Sequence, residues 1–247
     1  MAKTFIITGA TRGIGRAIAL SMSQEGHSVV LNYHANEVNA QQTFEACQAV
    51  SDRVLLVKAD IRQSREVDRL IDSTLTRFGA VDVLINNAGI NIDRPLLELT
   101  EEEWDRVVDT NMKSVFLTSQ AAGRVMMAQE SGGQIINLGA LTGITGRANG
   151  LNYCAAKAGV LVMTKCLAIE LAPRVRVNCV IPGTIRTPEV DERFDLATNE
   201  PELAQKILLK RIGEPDEITG AIRFLTSENG GYINGQKLIV DGGSFLY

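Results

Sequence analysis

Histidine is scarce in this sequence, because His27 and His34 are the only two among 247 residues. So few imidazole side chains exclude a histidine-rich metal site and leave no obvious Ser-His-Asp triad.

Cysteine is also sparse and unpatterned. The four cysteines are Cys47, Cys154, Cys166 and Cys179. They form no C-x-x-C pair and have no histidine close by in the sequence, so neither a zinc site nor a disulfide framework is expected. We predict reduced thiols, a cytoplasmic protein and no bound metal.

Excess positive charge and long apolar runs are lacking as well. The formal net charge of −4 gives no general attraction for nucleic acid or for an anionic membrane. No apolar stretch approaches the roughly 20 residues of a membrane span. The first residues, MAKTFIITGATRG, do not resemble a signal peptide. We therefore expect neither a nucleic-acid partner nor a membrane.

Short β-branched runs alternate with helical patterns along the whole chain. The runs predicted as strands are KTFIIT, SVVLNY, RVLLVKA, VDVLIN, QIINL, VRVNCVI and QKLIV. Helical periodicity covers GIGRAIALSMSQEG, EVNAQQTFEACQAV, SREVDRLIDSTLTRFG, residues 100–129 and about 152–172. This alternation predicts an α/β fold: a Rossmann-like doubly wound parallel sheet of about seven strands with helices on both faces.

No linker or repeat divides the chain, so one domain spanning 1–247 is predicted. Its irregular part runs from Pro182 to about Ile212 and also contains Pro188 and Pro201. Because it follows a strand, where active-site lids are often built, we predict a substrate lid at about 183–212.

A glycine-rich turn, TGATRGIG, joins the first predicted strand to the first helix over residues 8–15. Glycines let the backbone turn tightly and approach a pyrophosphate, and the helix N-terminus offers free N–H groups. This position at the start of an α/β chain predicts a dinucleotide site.

The spacing of that turn, Gly-x-x-x-Gly-x-Gly, is one of several motifs that match a known family. Together with Asn86-Asn87-Ala88-Gly89 and Tyr153-x-x-x-Lys157, it resembles the short-chain dehydrogenase/reductase family. The resemblance covers nearly the whole chain, including Asn111, Pro182-Gly183 and the closing VDGGSFL. Within the family it is most similar to the 3-oxoacyl-carrier-protein reductases of fatty acid biosynthesis and to related carbonyl reductases.

Charge at the second strand indicates which nicotinamide cofactor is used. An NAD enzyme typically ends this strand with an acid that holds the ribose 2′-hydroxyl, but here the first acid is Glu37, too late for that role. Arg12 can meet a 2′-phosphate, as the resemblance to NADP-dependent members also implies. We therefore predict NADP(H) over NAD(H). The cofactor contacts that the resemblance implies are Gly9, Thr11, Arg12, Gly13, Ile14, Gly15, Asp60, Ile61, Asn87, Ala88, Gly89, Tyr153, Lys157, Pro182, Gly183 and Ile185.

Tyr153 and Lys157 lie four residues apart on a predicted helix and so project from one face. A neighbouring ammonium favours the phenolate and lowers the pKa of the phenol, which can then exchange a proton with a carbinol oxygen. In the family a nicotinamide supplies the hydride. Asn111 matches a fourth family residue, which bends a helix and holds a water that connects the lysine to solvent.

The family's catalytic serine position is occupied here by Ala140, which has no hydrogen-bond donor. Three interpretations are open: an introduced substitution of a parent serine, a natural residue compensated by the Thr142 hydroxyl, or a cofactor-binding protein that is catalytically silent. The first is favoured because Tyr153, Lys157 and Asn111 are all present. In the second, Thr142 would share a face with residue 140 of an extended segment.

The resemblance also implies the reaction and the partners. A 3-oxoacyl thioester would be reduced to a 3-hydroxyacyl thioester. If an acyl carrier protein delivers it, basic residues near the pocket mouth, such as Arg124 and Arg174, would bind that acidic partner. Other ketones and alcohols remain open as substrates. A homotetramer is predicted through the helices over 100–129 and 152–172 and the last strand. Apolar positions that fit its surface, or an internal core, are Val115, Phe116, Val125, Met126, Met163 and Leu167.

Overall fold

The computed structural model of the chain describes residues 2–246, arranged around one sheet of seven parallel strands. The strands are β1 (Thr4–Ile7), β2 (Ser28–Tyr33), β3 (Val54–Lys58), β4 (Val83–Asn86), β5 (Gly133–Leu138), β6 (Val175–Pro182) and β7 (Lys237–Val240). Each coincides with a predicted strand, so all seven are confirmed. Their spatial order is β3-β2-β1-β4-β5-β6-β7, which reverses direction between β1 and β4. A crevice at this switch point is where doubly wound sheets bind ligands.

The helices cover both faces of the sheet. They are α1 (Gly13–Gln24), α2 (Glu37–Gln48), α3 (Ser64–Phe78), α4 (Glu101–Val108), α5 (Ser114–Ala128), α6 (Thr142–Thr145), α7 (Leu151–Leu171), α8 (Pro188–Phe194), α9 (Leu196–Gln205) and α10 (Pro215–Thr226). One core lies between the sheet and the apolar sides of α1, α2 and α10. The other lies beneath α3, α5 and α7. The predicted doubly wound α/β fold is confirmed.

The long helix predicted over 100–129 is continuous but not uniform. Between α4 and α5, residues Asp109–Lys113 form a π-helical turn. Such single turns are rare and are frequently found at functional sites. Asn111 lies fully buried at the centre of this turn, so the turn sets the direction of that side chain.

The region from Pro182 to Ile212 is not irregular, which corrects the sequence prediction. It contains α8 and α9, and α10 follows without having been predicted. The prolines argued against helices in this segment. Pro188, however, occupies the first turn of α8, where the missing N–H of proline costs no hydrogen bond. Thr187 caps that helix by accepting from the Val190 N–H at 3.3 Å. Leu196, Ile207 and Ile212 form a small core of their own beneath these helices.

Two of the positions proposed for a tetramer surface lie in the protein interior. Val115 and Met126 are buried, Met126 as part of the core beneath α5. The apolar side chains that α5 and α7 do expose include Phe116, Val162 and Ile169. Across residues 2–246, none of the helices combines the length and the apolar character needed to cross a membrane.

Candidate active site

The glycine-rich turn follows β1 and is locked to the segment that follows β4. The hydroxyl of Thr8 accepts the N–H groups of Asn87 and Ala88 at 3.0 and 3.1 Å. The Asn87 amide in turn donates to the carbonyls of Thr8 and Gly9 at 3.0 and 2.9 Å. These four bonds hold two predicted cofactor segments together at the switch point of the sheet.

Two glycines of this turn are required by close backbone approach. A Cβ on Gly15 would lie 2.3 Å from the Gly9 carbonyl oxygen and 2.5 Å from the Asn87 amide nitrogen. Gly9 has φ +61°, and a Cβ there would lie 2.9 Å from the Ala88 Cα. Side chains are therefore excluded at both positions. Nearby, the Thr11 carbonyl accepts from the Thr43 hydroxyl at 3.0 Å, and Ile14 packs against the core beneath α1.

The N-terminus of α1 has the donor set that a phosphate needs. The helix begins at Gly13, and no side chain caps its first turn. Its free N–H groups therefore point out of the helix end. Arg12, at the cap position, forms an ion pair with Glu189 of α8. Helix α8 thus contacts the glycine turn directly.

Asp60 follows β3 and is already engaged by a neighbouring arginine. Its carboxylate accepts from Arg62 Nε at 2.8 Å and from Nη2 at 2.7 Å. These bonds from Arg62 hold the pKa of the buried Asp60 carboxyl well below its usual range, against the effect of burial. Ile61, the next residue, is buried. The adenine contact predicted for this pair stays a prediction.

Tyr153 and Lys157 lie on α7, near its first turns. Lys157 is buried and its Nζ donates to the Leu138 carbonyl at 2.7 Å, at the end of β5. Its Nζ also lies 5.8 Å from the centre of the Tyr153 ring. Burial lowers the pKa of Lys157 to about 8. The ammonium is therefore still charged at neutral pH.

The pKa of Tyr153 moves in the opposite direction from the one expected. Burial raises the pKa of the phenol, and the opposing effect of the charges of Arg147 and Arg193 is smaller. The sequence analysis considered only the neighbouring lysine and ignored the cost of removing a phenolate from water. Tyr153 therefore carries its proton at neutral pH.

Asn111 connects its π-helical turn to the segment after β4. Its amide donates to the carbonyls of Ile90 and Val107, both at 2.8 Å, and its oxygen accepts the Ile90 N–H at 3.2 Å. A Cβ on Gly89 would lie 2.5 Å from the Asn111 oxygen and 3.8 Å from Lys157 Nζ. The backbone of Gly89 thus lies between the Asn111 and Lys157 side chains. The three residues form one contiguous group.

Ala140 follows β5, where the chain turns immediately into a helix. The Ala140 carbonyl accepts the Gly143 N–H at 3.0 Å, and Leu141 already has helical angles ahead of α6. Residues 140–142 are therefore not extended, and the face-sharing argument for Thr142 is wrong. Its hydroxyl oxygen is nevertheless buried and has no hydrogen-bond partner within the described part of the chain.

The loop after β6 closes this edge of the sheet. The Gly183 N–H donates to the Val240 carbonyl at 2.9 Å, and a Cβ on Gly183 would lie 2.6 Å from the Asp241 Cα. Pro182 ends β6, and Ile185 is buried and bridges to Gly213. The tight packing of Gly183 fixes where the segment that contains α8 and α9 begins.

Arg124 and Arg174 lie far from this group, which corrects their proposed place at the pocket mouth. Arg174 precedes β6, whose eight residues span roughly 25 Å from there to the Pro182 end. Arg124 follows Asn111 by about 20 Å of helix. Both therefore lie towards the amino ends of the strands, whereas the site is at the carboxyl ends.

Sequence reasoning missed the charged residues that surround Tyr153. The Arg147 guanidinium lies 5.8 Å from the Tyr153 ring centre. It binds Asp93, which also pairs with Arg193 of α8. These residues come from three distant segments and follow no spacing rule, so no sequence signal could have grouped them.

Comparison with known proteins agrees with this geometry. A family profile described as "Enoyl-(Acyl carrier protein) reductase" matches residues 9–244. The chain is 40% identical over 247 residues to the 3-oxoacyl-[acyl-carrier-protein] reductase FabG of Staphylococcus epidermidis, with all of both chains covered. The chain belongs to the short-chain dehydrogenase/reductase family.

Other members of the family show how widely this fold is used. Glucose 1-dehydrogenase 2 of Bacillus subtilis is 35% identical, covering 99% of this chain and 95% of that protein. A short-chain type dehydrogenase/reductase from Mycobacterium marinum superposes with a TM-score of 0.90 at 36% identity, covering 98% of this chain and 95% of that one. Membership makes this chain an oxidoreductase that works with a nicotinamide cofactor.

Proposed function

We propose that this chain uses NADPH to reduce a 3-oxoacyl thioester to a 3-hydroxyacyl thioester, with Tyr153 as the acid. The observation that carries the proposal is the contiguous group of Lys157, Gly89 and Asn111 beside Tyr153, next to the glycine turn. The name of the Staphylococcus relative, 40% identical over the full chain, supports the choice of substrate class.

The residues around the glycine turn fit such a cofactor. The uncapped N-terminus of α1 offers N–H donors to a pyrophosphate, and Arg12 stands beside it. When bound, the nicotinamide would supply the hydride. No carboxylate ends β2, whose last residue is Tyr33, and this favours NADPH over NADH.

In this proposal the protein controls the proton. The raised pKa of Tyr153 keeps the phenol protonated at neutral pH, so it can donate to the carbonyl oxygen as charge develops there. Lys157 stays charged below pH 8 and stabilises the phenolate that remains. Asn111 and the Leu138 carbonyl hold the segments on either side of that ammonium.

Ala140 weakens this site without removing its acid. A hydroxyl at this position would donate a second hydrogen bond to the substrate oxygen, and alanine has none. Loss of one such donor elsewhere costs about 10²–10³ in rate. We therefore propose a reductase of reduced turnover, whether residue 140 is introduced or natural.

The test is a paired measurement of binding and turnover. We expect NADPH to bind at least about tenfold more tightly than NADH, because Arg12 can pair with the 2′-phosphate. We expect NADPH oxidation with an acetoacetyl thioester, and faster oxidation after Ala140→Ser. Tighter binding of NADH would contradict the cofactor assignment.

Two alternative functions give different results in the same assay. The Bacillus relative is named as a glucose dehydrogenase, so a sugar or another alcohol could replace the thioester. Turnover of glucose with NADP⁺ but not of the thioester would support that alternative. Cofactor binding with no turnover, even after Ala140→Ser, would indicate a silent NADP(H)-binding interaction protein.

The assembly and its surroundings complete the proposal. We propose one domain over residues 1–247 whose segment at about 183–212 covers the substrate, and a cytoplasmic homotetramer formed through α4, α5 and α7. Exposed Phe116, Val162 and Ile169 support a contact on α5 and α7. Delivery of substrate by an acyl carrier protein would need basic residues at the carboxyl edge of the sheet, such as Arg193, rather than Arg124 or Arg174.

A further inference from the structure

Three charged side chains from separate segments meet beside Tyr153. Asp93 lies in the loop after β4, Arg147 lies between α6 and α7, and Arg193 lies on α8. One oxygen of Asp93 accepts from Arg147, and the other lies 2.9 Å from Arg193 Nη2. Arg147 also donates to the Asn91 side-chain oxygen at 2.6 Å. These contacts leave Arg147 few alternative positions.

The Arg147 side chain is also confined by the backbone at the start of α7. It is only 16% exposed, and it lies against the backbone of Gly150 at the start of α7. A Cβ on Gly150 would lie 2.6 Å from the guanidinium carbon. In this position the Arg147 guanidinium carbon lies 5.8 Å from the Tyr153 ring centre. Lys157 Nζ lies at the same distance from that centre. The ring is therefore flanked by two cations, of which only the lysine belongs to the Tyr-x-x-x-Lys motif.

We propose that Arg147 is a positioning residue for Tyr153, held against the ring by Asp93, Asn91 and Gly150 so that it adds a fixed positive charge to that of Lys157. The catalytic part of this inference rests on the proposed function, because it assumes that Tyr153 exchanges the proton. The electrostatic part does not, since the arrangement of charges is independent of the reaction.

The charges that face the phenol support this role. Burial raises its pKa, Arg147 and Arg193 act in the opposite direction, and Asp93 and Cys154 act with burial. Lys157 Nζ lies 5.8 Å from the ring centre on the same helix but, with a pKa of about 8, becomes neutral in mildly alkaline solution. Arginine stays protonated throughout this range. Above pH 8, Arg147 therefore still holds its charge 5.8 Å from the ring centre, and its effect on the phenol is larger than that of Arg193.

The same cluster connects Tyr153 to the lid. Asp93 binds Arg193 on α8 as well as Arg147, so displacement of α8 would remove one positive charge and one of the two arginine partners of Asp93. Burial opposes ionisation of Asp93, but its bonds to Arg147 and Asn91 outweigh this and lower its pKa. Asp93 thus remains an anion over the working pH range and holds both guanidinium groups.

The first experiment measures the phenol without turnover. The chain would be labelled with fluorotyrosine, whose phenol is more acidic, and titrated by fluorine NMR, with Tyr153→Phe identifying the signal. We expect Arg147→Met to raise the Tyr153 pKa by about one unit, because a cation at this distance favours the phenolate. Arg147→Lys should recover part of that shift. Arg94→Met, on the same loop as Asp93 but paired with Glu103, is the matched control and should cause none.

The second experiment measures the pH profile of alcohol oxidation with NADP⁺ in the Ala140→Ser background. The phenolate is the required base in this direction, so the acidic limb should move to higher pH in Arg147→Met by a similar amount. Gly150→Ala displaces the guanidinium without removing its charge and should move the limb the same way.

The two experiments separate the possible failures. If Arg147→Met changed neither the Tyr153 pKa nor the acidic limb of the pH profile, the proposal would be overturned. Arg147 would then be a merely structural residue. A shifted signal with no turnover in any variant would keep the electrostatic assignment and reject the proposed function. NADPH affinity within about threefold of the parent would show that the Arg147 variants are folded.

Discussion

The proposed cofactor side of this crevice, around the glycine turn, and its proposed substrate side, around α8, are held together by different kinds of contact. On the cofactor side, buried backbone groups and glycines meet at distances that exclude side chains, as between Gly9, Gly15 and Asn87. On the substrate side, ion pairs between charged side chains join α8 to the rest, as in Arg12–Glu189 and Arg193–Asp93. The first arrangement tolerates almost no change, whereas the second can exchange partners at small energetic cost.

This contrast explains how one fold can serve many substrates. In the proposed function, the fixed side would present the cofactor in one geometry, and the charged side would determine which molecule reaches it. Tyr153 lies at the boundary, because Lys157 on its helix lies near Gly89, whereas the charges of Arg147 and Arg193 act on its phenol from the other side.

The largest gain in turnover is expected at Ala140. Ala140→Ser should increase kcat with an acetoacetyl thioester by about 10²–10³, because it restores a donor to the substrate oxygen. Thr142→Val is the matched test of the neighbouring hydroxyl, which is buried and has no hydrogen-bond partner among residues 2–246. An unchanged rate in Ala140→Ser, with activity lost in Thr142→Val, would instead assign the hydroxyl to Thr142.

The next effect tests the fixed side. Gly15→Ala forces a Cβ to within 2.3 Å of a backbone carbonyl oxygen. We expect about 1–3 kcal/mol of lost stability and NADPH binding weakened at least about tenfold. Gly220→Ala is the control, since its Cβ on α10 would meet nothing within 4 Å. It should be neutral or slightly stabilising in thermal unfolding. Equal behaviour of the two variants would contradict the account of the glycine turn.

The smallest effect tests the charged side. Glu189→Gln removes the carboxylate that competes with a 2′-phosphate for Arg12. Since both side chains are about half exposed, we expect only a two- to fivefold gain in NADPH affinity and none for NADH. Calorimetric titration of both cofactors measures this. Glu192→Gln, on the same helix, makes the same charge change and should have no such selective effect.

The two sides also differ in how far the sequence predicts them. Seven strands, the glycine turn and the Tyr153–Lys157 pair follow from short-range spacing, which local geometry translates directly into position. The helices α8 and α9 were missed because prolines suit both loops and the first turns of helices, as at Pro188.

The charged cluster could not be predicted at all. Arg147 and Asp93 are 54 residues apart, and their contact depends on the packing of two loops. The predicted direction of the Tyr153 pKa shift was wrong for a related reason. The sequence shows the neighbouring lysine but not the burial of the phenol, which raises its pKa.

The central claim is that Tyr153 is the acid of an NADPH-dependent carbonyl reduction. Its most direct test is Tyr153→Phe in the Ala140→Ser background, assayed by NADPH oxidation with an acetoacetyl thioester. The account predicts a fall in kcat of about 10²–10⁴ with NADPH affinity unchanged within about threefold, because only the proton donor is removed. Full activity of Tyr153→Phe, or no turnover in the Ala140→Ser parent, would contradict it.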